Sequence, residues 1–308
     1  MENDQLITTQ GKEGFRSGFV AIIGAPNTGK STLLNQLLGQ KIAITTPKPQ
    51  TTRQQIRGIL TGANFQIVFV DTPGIHESKH LLNKVIVDWA TKALADVDAV
   101  LLVVDITRRW PATELAILDL LKHTGKPVLL VLNKIDLVAK ENLLPIINEM
   151  KDFFPFESII PISAIHNEGL ALLLDETMRL MPEGPQFYDA TFLTDQTKEM
   201  FVAELIREKI FLMAEEEVPY STFVEVEPFE FTRDRKTITI HATVYVEKPS
   251  QKGIIIGKDA KFIRKNKRLV LEELKQMWDA RIELDIWVKV LKNWSKDQKY
   301  LKRIGLIE

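Results

Sequence analysis

The stretch Gly24-Ala25-Pro26-Asn27-Thr28-Gly29-Lys30-Ser31 has the residue types and spacing to hold a polyanion. It fits the phosphate-loop pattern G-x-x-x-x-G-K-[ST]. Gly24 and Gly29 permit backbone angles closed to other residues, so successive N–H groups can turn inward around an anion. Lys30 supplies a point charge for the terminal phosphates, and the Ser31 hydroxyl is a ligand for Mg²⁺. The apolar run Phe19–Ile23 leads into the loop and a helical pattern starting at Thr32 leaves it. That context, strand then loop then helix, is what the pattern requires, and it adds the positive end of a helix to the site. The expected nucleotide contacts run from Gly24 through Thr32.

Two further motifs narrow the chemistry. Asp71-Thr72-Pro73-Gly74 follows the apolar stretch Gln66–Val70. Asp71 can bind Mg²⁺, usually through water, and the Gly74 N–H can meet a γ-phosphate and lose it on hydrolysis. Alone, this tetrapeptide also reads as an ordinary turn; downstream of a phosphate loop it reads as a switch. Asn133-Lys134-Ile135-Asp136 follows Val128–Leu132. The Asp136 carboxylate can accept from N1–H and the 2-amino group of guanine. Adenine offers neither donor there, so it would leave a carboxylate unpaired. Asn133 can bond the N7 side of the purine, and the Lys134 stem can lie over the base. Ser163 and Ala164, after Ile159–Ile162, place backbone N–H groups for the guanine O6. Within Pro47–Arg53, Thr52 is favoured over Thr51 to complete the Mg²⁺ shell when a γ-phosphate is present. The metal set is therefore Ser31, Thr52 and Asp71, and the order of motifs is that of a GTPase. A metabolic kinase or ATPase shares the loop, but Asn133–Asp136 argues against it.

The elements that must position these motifs are legible in the hydrophobic pattern. Apolar strand candidates are Gly18–Ile23, Gln66–Val70, Ala99–Val104, Val128–Leu132 and Ile159–Ile162. Helical patterns lie between and after them at Leu82–Leu94, Thr113–His123, Leu143–Phe153 and Gly169–Leu180. Consecutive apolar residues fit strands buried on both faces, and the alternation predicts an α/β domain with a mostly parallel, doubly wound sheet over residues 1–181. In such sheets ligands bind at the carboxyl ends of the strands, where these motifs fall. The 308 residues suggest about two domains. Met181-Pro182-Glu183-Gly184-Pro185 marks the break, with a stiff linker at 182–188. Residues 189–308 then read as α+β: a helix at Asp195–Met213, strands at Thr222–Phe231 and Lys236–Val246, an apolar run at Gly253–Ile256, a helix at Asp259–Trp278 and a strand at Ile282–Val290. Net charge is −1 and cysteine is absent, so disulfides and thiolate metal sites are excluded. Any nucleic-acid contact must come from a local patch. The polar N-terminus does not read as a signal peptide, and no apolar run approaches a membrane span. That fits the cytoplasm.

The local patch is present. Lys252, Lys258, Lys261, Arg264, Lys265, Lys267 and Arg268 crowd one region in which Asp259 is the only acid. With Ile255, Ile256 and Gly257 they form the candidate RNA-binding set; the bland alternative is a solvated cationic helix face. Three other features read as bland. His76 and His80 do not make a metal site, Glu215-Glu216-Glu217 reads as an exposed helix end, and Trp287 and Trp294 read as core more than as base-stacking residues.

The Pro26-Asn27 pair, the Pro49–Arg53 loop and the appended domain resemble the bacterial Era family of ribosome-assembly GTPases, over roughly Gly18 to the C-terminus. The element order of the second domain resembles a type II KH (K-homology) domain, as do the Pro219-Tyr220-Ser221 turn and the Ile286–Val290 strand. Such domains pass single-stranded nucleic acid over a GXXG loop. Here the loop is Gly257-Lys258-Asp259-Ala260; the second glycine is replaced, and Ala260 allows close approach of the backbone if its φ is negative. The resemblance implies GTP and GDP as ligands with Mg²⁺, and hydrolysis involving Asn27, Lys30, Thr52 and Gly74. It implies binding to the 3′ end of small-subunit ribosomal RNA in the pre-30S particle, a monomeric state, and peripheral contact with the inner membrane. Ras-like proteins carry a glutamine after the Asp-x-x-Gly glycine; here that residue is Ile75. The resemblance implies that Asn27 helps bind K⁺ in compensation. A second domain that docks a protein or membrane surface in place of RNA stays open at this point.

Overall fold

A computed structural model describes residues 14–48, 56–71, 94, 96–108, 112–232 and 236–294. The chain divides into two compact units: the first includes everything described up to Asp195 except the stretch from Ala43, which belongs with Gln196 onward in the second.

The first unit holds a six-stranded sheet of β1 (Arg16–Ile23), β2 (Ile56–Thr61), β3 (Phe65–Asp71), β4 (Ala99–Asp105), β5 (Val128–Asn133) and β6 (Ser158–Ile162), in the order β2-β3-β1-β4-β5-β6. All neighbours are parallel except β2 with β3. The five expected strands are present. The antiparallel edge strand β2 was not expected, because Ile56-Arg57-Gly58-Ile59-Leu60-Thr61 mixes polar and apolar residues without strict alternation. Every residue of β4 and β5 is buried, so their uninterrupted apolar runs follow from cover on both faces. Helices α1 (Lys30–Leu38), α2 (Ala112–Leu121), α3 (Leu143–Met150) and α4 (Leu170–Leu180) match the helical patterns to within a few residues. The expected helix at Leu82–Leu94 falls almost wholly outside the described residues.

After α4 the chain straps the first unit. Ser17 donates from its N–H to Pro182 O at 3.0 Å, and Gly184 N–H donates to Phe15 O at 3.0 Å. The buried Gln66 side-chain oxygen accepts from the N–H groups of Phe187 and Tyr188 at 2.7 and 2.9 Å. Ile59 N–H donates to Leu193 O at 2.8 Å, beside a bridge between Gly58 and Thr194. Residues 182–188, expected as a stiff linker, are thus bonded to the first unit, and Leu193 and Thr194, expected in the second domain, bond the outer edge of β2.

The second unit is built from α5 (Lys198–Met213), β7 (Thr222–Val226), β8 (Glu230–Phe231), β9 (Thr237–Val246), α6 (Pro249–Ile256), α7 (Lys261–Met277) and β10 (Arg281–Val290). Thr197 caps α5 by accepting from Met200 N–H. The sheet runs β10-β9-β7 with β8 also on β9; β10 is parallel to β9, and β7 antiparallel. Val202, Leu205, Ile206 and Ile210 of α5, Ile255 of α6, and Val270 and Leu274 of α7 fill one face of that sheet. Gly253–Ile256, expected only as an apolar run, is the end of α6, which Pro249 starts at its first turn. Trp294 is buried and donates from its indole N–H to Ser221 O at 3.1 Å. Trp287 departs from expectation: it is 48% exposed. Among the described residues no helix is long and apolar enough to cross a membrane.

Candidate functional site

The phosphate loop leaves β1 and enters α1. Gly24 has φ 151°, and Gly29 has φ 96°. A Cβ on Gly29 would lie 2.2 Å from the Asn133 side-chain nitrogen, so the glycine is required for space as well as for angle. Asn27 is also left-handed, at φ 64°. Lys30 is buried and its Nζ donates to Gly24 O at 3.0 Å and Ala25 O at 2.8 Å. Burial lowers its pKa to about 8, with the negative charges of Asp71 and Glu114 working against that fall. Thr28 is buried and donates from its hydroxyl to Ala25 O at 3.0 Å.

Asp71 ends β3, in register beside Ile22 of β1. Its side chain is fully buried; Oδ2 accepts from the Ser31 hydroxyl at 2.8 Å, and Oδ1 has no hydrogen-bond partner among the described residues. Burial raises its pKa to about 6, offset in part by Lys30 and the Ser31 hydrogen bond. A hydroxyl beside an oxygen-only ligand with an unused buried lone pair is a donor set that suits Mg²⁺, a hard cation that takes few carboxylates. Thr52, Thr72, Pro73, Gly74 and Ile75 lie outside the described residues, as do His76 and His80.

The base-side loops are bolted to the phosphate loop. Asn133, at the end of β5 and 2% exposed, donates to Thr28 O at 2.8 Å and accepts from Ala164 N–H at 3.0 Å. Lys134 is left-handed at φ 70°, and its Nζ donates to Asn27 O at 2.7 Å. Asp136 is exposed and accepts from the buried Ser163 hydroxyl at 2.5 Å. The structure therefore brings residues from Gly24 to Ser31 together with Asp71, Asn133, Lys134, Asp136, Ser163 and Ala164.

One buried residue was missed. Asp105 ends β4 in register with Asn133, and its Oδ2 accepts from Lys134 Nζ at 2.7 Å. Its Oδ1 takes the N–H and hydroxyl of Thr107 at 3.0 and 2.6 Å. Burial opposes its charge, but the hydrogen bonds from Lys134 and Thr107 hold its carboxyl below the usual range. The signal was available: like Asp71, it is an acid at the carboxyl end of an uninterrupted apolar strand.

In the second unit the expected RNA set divides. Lys258, Lys261, Arg264, Lys265 and Arg268 are exposed, while Lys252, Ile256, Gly257 and Lys267 are half-buried. Ile255 is fully buried in the core, so it is not part of the surface. Helical phase explains this correction: Gln251 and Ile255, four apart, face inward, and Ile254 faces out at 49% exposure. The loop between α6 and α7 corrects a second expectation. Gly257, Asp259 and Ala260 have φ values of 73°, 53° and 56°, so Ala260 is left-handed. Its methyl sits in the conformation that the missing glycine would adopt freely. Arg264 reaches back to donate to Asp259 O.

A phosphate loop, a strand-end acid and a guanine-type loop on this sheet define a P-loop GTPase, here joined to a KH domain. Comparison with known families agrees: the family described as "50S ribosome-binding GTPase" matches residues 19–134, and the KH domain family matches residues 217–295. The GTPase Era of Syntrophus aciditrophicus is 46% identical over 96% of each chain. That of Geobacter metallireducens is 45% identical, covering 94% of this chain and 98% of its own. Among solved structures, Era in complex with MgGDPNP and nucleotides 1506–1542 of 16S ribosomal RNA matches with a TM-score of 0.90 at 34% identity, over 96% of this chain and 100% of that one. An Aquifex aeolicus Era variant bound to GDP·AlF₄⁻ gives the same TM-score and identity. The chain belongs to the Era family of GTPases.

Proposed function

We propose that this protein is a GTP-hydrolysing switch that binds the 3′ end of small-subunit ribosomal RNA and assists assembly of that subunit. The observation that carries the reading is the likeness, over nearly the full chain, to a relative solved with both MgGDPNP and 16S ribosomal RNA. Lys30 and the loop amides would hold the phosphates, Ser31 and Asp71 would hold Mg²⁺, and Asp136 would read guanine. When bound, Mg²⁺ neutralises charge on the β- and γ-phosphate oxygens. Water attacks the γ-phosphorus, the bond to the β-phosphate oxygen breaks, and GDP and phosphate leave. Thr52 and Gly74 sense the γ-phosphate, and their release resets the RNA surface.

Exchange of Asp136→Asn tests the base assignment. The amide donates to the 2-oxo group of xanthine, so preference should pass from guanine to xanthine nucleotides; unchanged preference for GTP would refute it. The RNA half is tested by titrating single-stranded RNA against salt. Affinity should fall steeply as salt rises, with a slope that counts several Lys and Arg contacts, and absence of binding at low salt would sink it. The same reading extends to K⁺, with Asn27 as a ligand; equal hydrolysis rates in K⁺ and Na⁺ would remove that part. It also extends to a monomer with peripheral membrane contact, which sedimentation and vesicle flotation would test.

A further inference from the structure

Helix α2 carries a buried acid that hydrolysis, as derived above, does not use. Glu114 lies in the first turn of α2 and is 2% exposed. It shares its face of the helix with the buried Ile117, Leu118 and Leu121, while Leu115, Ala116 and Asp119 are exposed. Ile117, Leu118 and Leu121 pack in one core with Ala21 and Ile23 of β1 and Leu102 and Val104 of β4. A helix that follows a strand of a parallel sheet starts at the carboxyl ends of the strands, where ligands bind. Glu114, one turn nearer that end than Ile117 and Leu118, is therefore placed towards the phosphate loop. The loop itself presses on β4: a Cβ on Gly24 would lie 2.2 Å from Val103 O.

An acid in the first turn of a helix is ordinarily exposed, where it favours the helix dipole and keeps its water. Glu114 has given up that water. Its Oε2 is buried and has no hydrogen-bond partner among the described residues. Burial pushes its carboxyl up, against its own N–H and the positive charges of Arg108 and Lys30. Arg108 is exposed and pairs with Asp105 at 3.5 Å. Lys30 is buried, and its two acidic neighbours are Asp71 and Glu114. Asp71 bonds Ser31 and suits Mg²⁺; Glu114 has neither task. A buried carboxylate with an unused oxygen is costly, and a neutral side chain would fill this place at less cost.

We infer that Glu114 is a positioning residue that sets how long nucleotide stays bound: its carboxylate competes with the phosphates for Lys30 and so speeds the release of GDP. This rests on the phosphate-loop assignment and adds to it a residue that acts without touching nucleotide. Charges in a buried site act on one another across several ångströms with little screening by salt. The effect grows with the charge on the ligand, from GMP through GDP to GTP.

The test uses the full chain and fluorescent analogues of the three nucleotides, with release followed by stopped flow at saturating Mg²⁺. Glu114→Gln keeps the shape and removes the charge. GDP should bind on the order of tenfold more tightly, through slower release, with a larger factor for GTP and a smaller one for GMP. A residue that only supported the fold would weaken all three when changed. Glu114→Asp keeps the charge and should release GDP at close to the unaltered rate. Glu114→Met leaves no polar atom to bury and should show the same gain as Glu114→Gln, so either variant decides if the other fails to fold. Unchanged or weaker GDP binding in a variant that melts normally, or an equal gain for all three nucleotides, overturns the proposal and leaves the phosphate loop standing. Tight GDP binding by Lys30→Ala would instead remove the phosphate-loop assignment, and the proposal with it.

Discussion

Asn133→Ala separates a residue that touches ligand from one that holds the site together. The side chain is 2% exposed, and both of its cross-loop partners, Thr28 and Ala164, are buried. Truncation orphans the Thr28 carbonyl, bonded at 2.8 Å, and the Ala164 N–H, bonded at 3.0 Å. A buried polar group left unpaired costs about 1–3 kcal/mol, so the pair costs about 2–6 kcal/mol. That is a large part of the ~5–15 kcal/mol that stabilises a typical domain. At about 2–4 °C per kcal/mol for a domain of this size, the first unit's melting temperature should fall by about 5–20 °C. Differential scanning calorimetry without nucleotide reads this directly, and GDP titration of the same variant should show weaker binding because both loops lose their register. Gly29→Ala provides an internal check. Its methyl would collide with the Asn133 amide at 2.2 Å, so its penalty should shrink in the Asn133→Ala background. A melting temperature lowered by less than about 1 °C, with GDP affinity intact, would show that the loops hold themselves and refute the reasoning.

Other outcomes follow from the same geometry. Asp105→Ala removes the buried carboxylate that holds Lys134, so nucleotide affinity should drop about tenfold, on the order of one charge-assisted hydrogen bond; isothermal titration at unchanged GTP-over-ATP preference would separate positioning from base reading. Burial lifts the Asp71 carboxyl to about 6, above the ordinary carboxylate value. The folded protein therefore takes up a proton between about pH 6 and pH 4, and in this window Asp71's contribution to stability grows as pH falls. Protons compete with Mg²⁺ there, so the Mg²⁺ needed for half-maximal GTP binding should rise below pH 6; a flat requirement from pH 7.5 to pH 5 would contradict this. Ala260→Gly relieves a left-handed alanine at some entropic cost in the unfolded chain, for a net gain of about 0–1 kcal/mol, and a lower urea midpoint for the second unit would count against it.

Much of the site was legible because it sits at the ends of fully buried strands. There the apolar run stops abruptly, and the polar residues that follow have few alternatives to function. Asp71, Asn133 and Ser163 all stand out for this reason. Asp105 carries the same signature but belongs to no short motif; its role depends on parallel register with Asn133, which pattern alone does not supply. The edge strand β2 was hidden by its mixed composition, since only one edge is paired within the sheet. In the second unit Ile255 was misassigned because one apolar run, Ile254–Ile256, serves both faces of a helix, and only helical phase tells them apart. Trp287 could have been placed from the alternation of its strand, Ile-Glu-Leu-Asp-Ile-Trp-Val. The general tendency of tryptophan to be core outweighed that signal. The left-handed turn at Ala260 was not legible, since alanine ordinarily argues for the opposite sign of φ.

The strap after α4 gives the first unit a place in time. A ribosome releases this chain from its N-terminus, and β1 is among the first strands to emerge. Yet the Ser17 hydroxyl finds its acceptor, Pro185 O, only after 168 further residues. The outer edge of β2 waits about 135 residues for Leu193 and Thr194. Until then β2 is a bare edge, open to pairing with any extended segment nearby. Closure of such distant contacts is slow, and domains of growing chains fold as units. The sheet has all six strands once β6 is made, but the strap over its β2 edge is completed only as α5 starts to appear, so the first unit finishes its outer contacts just before the KH domain is made.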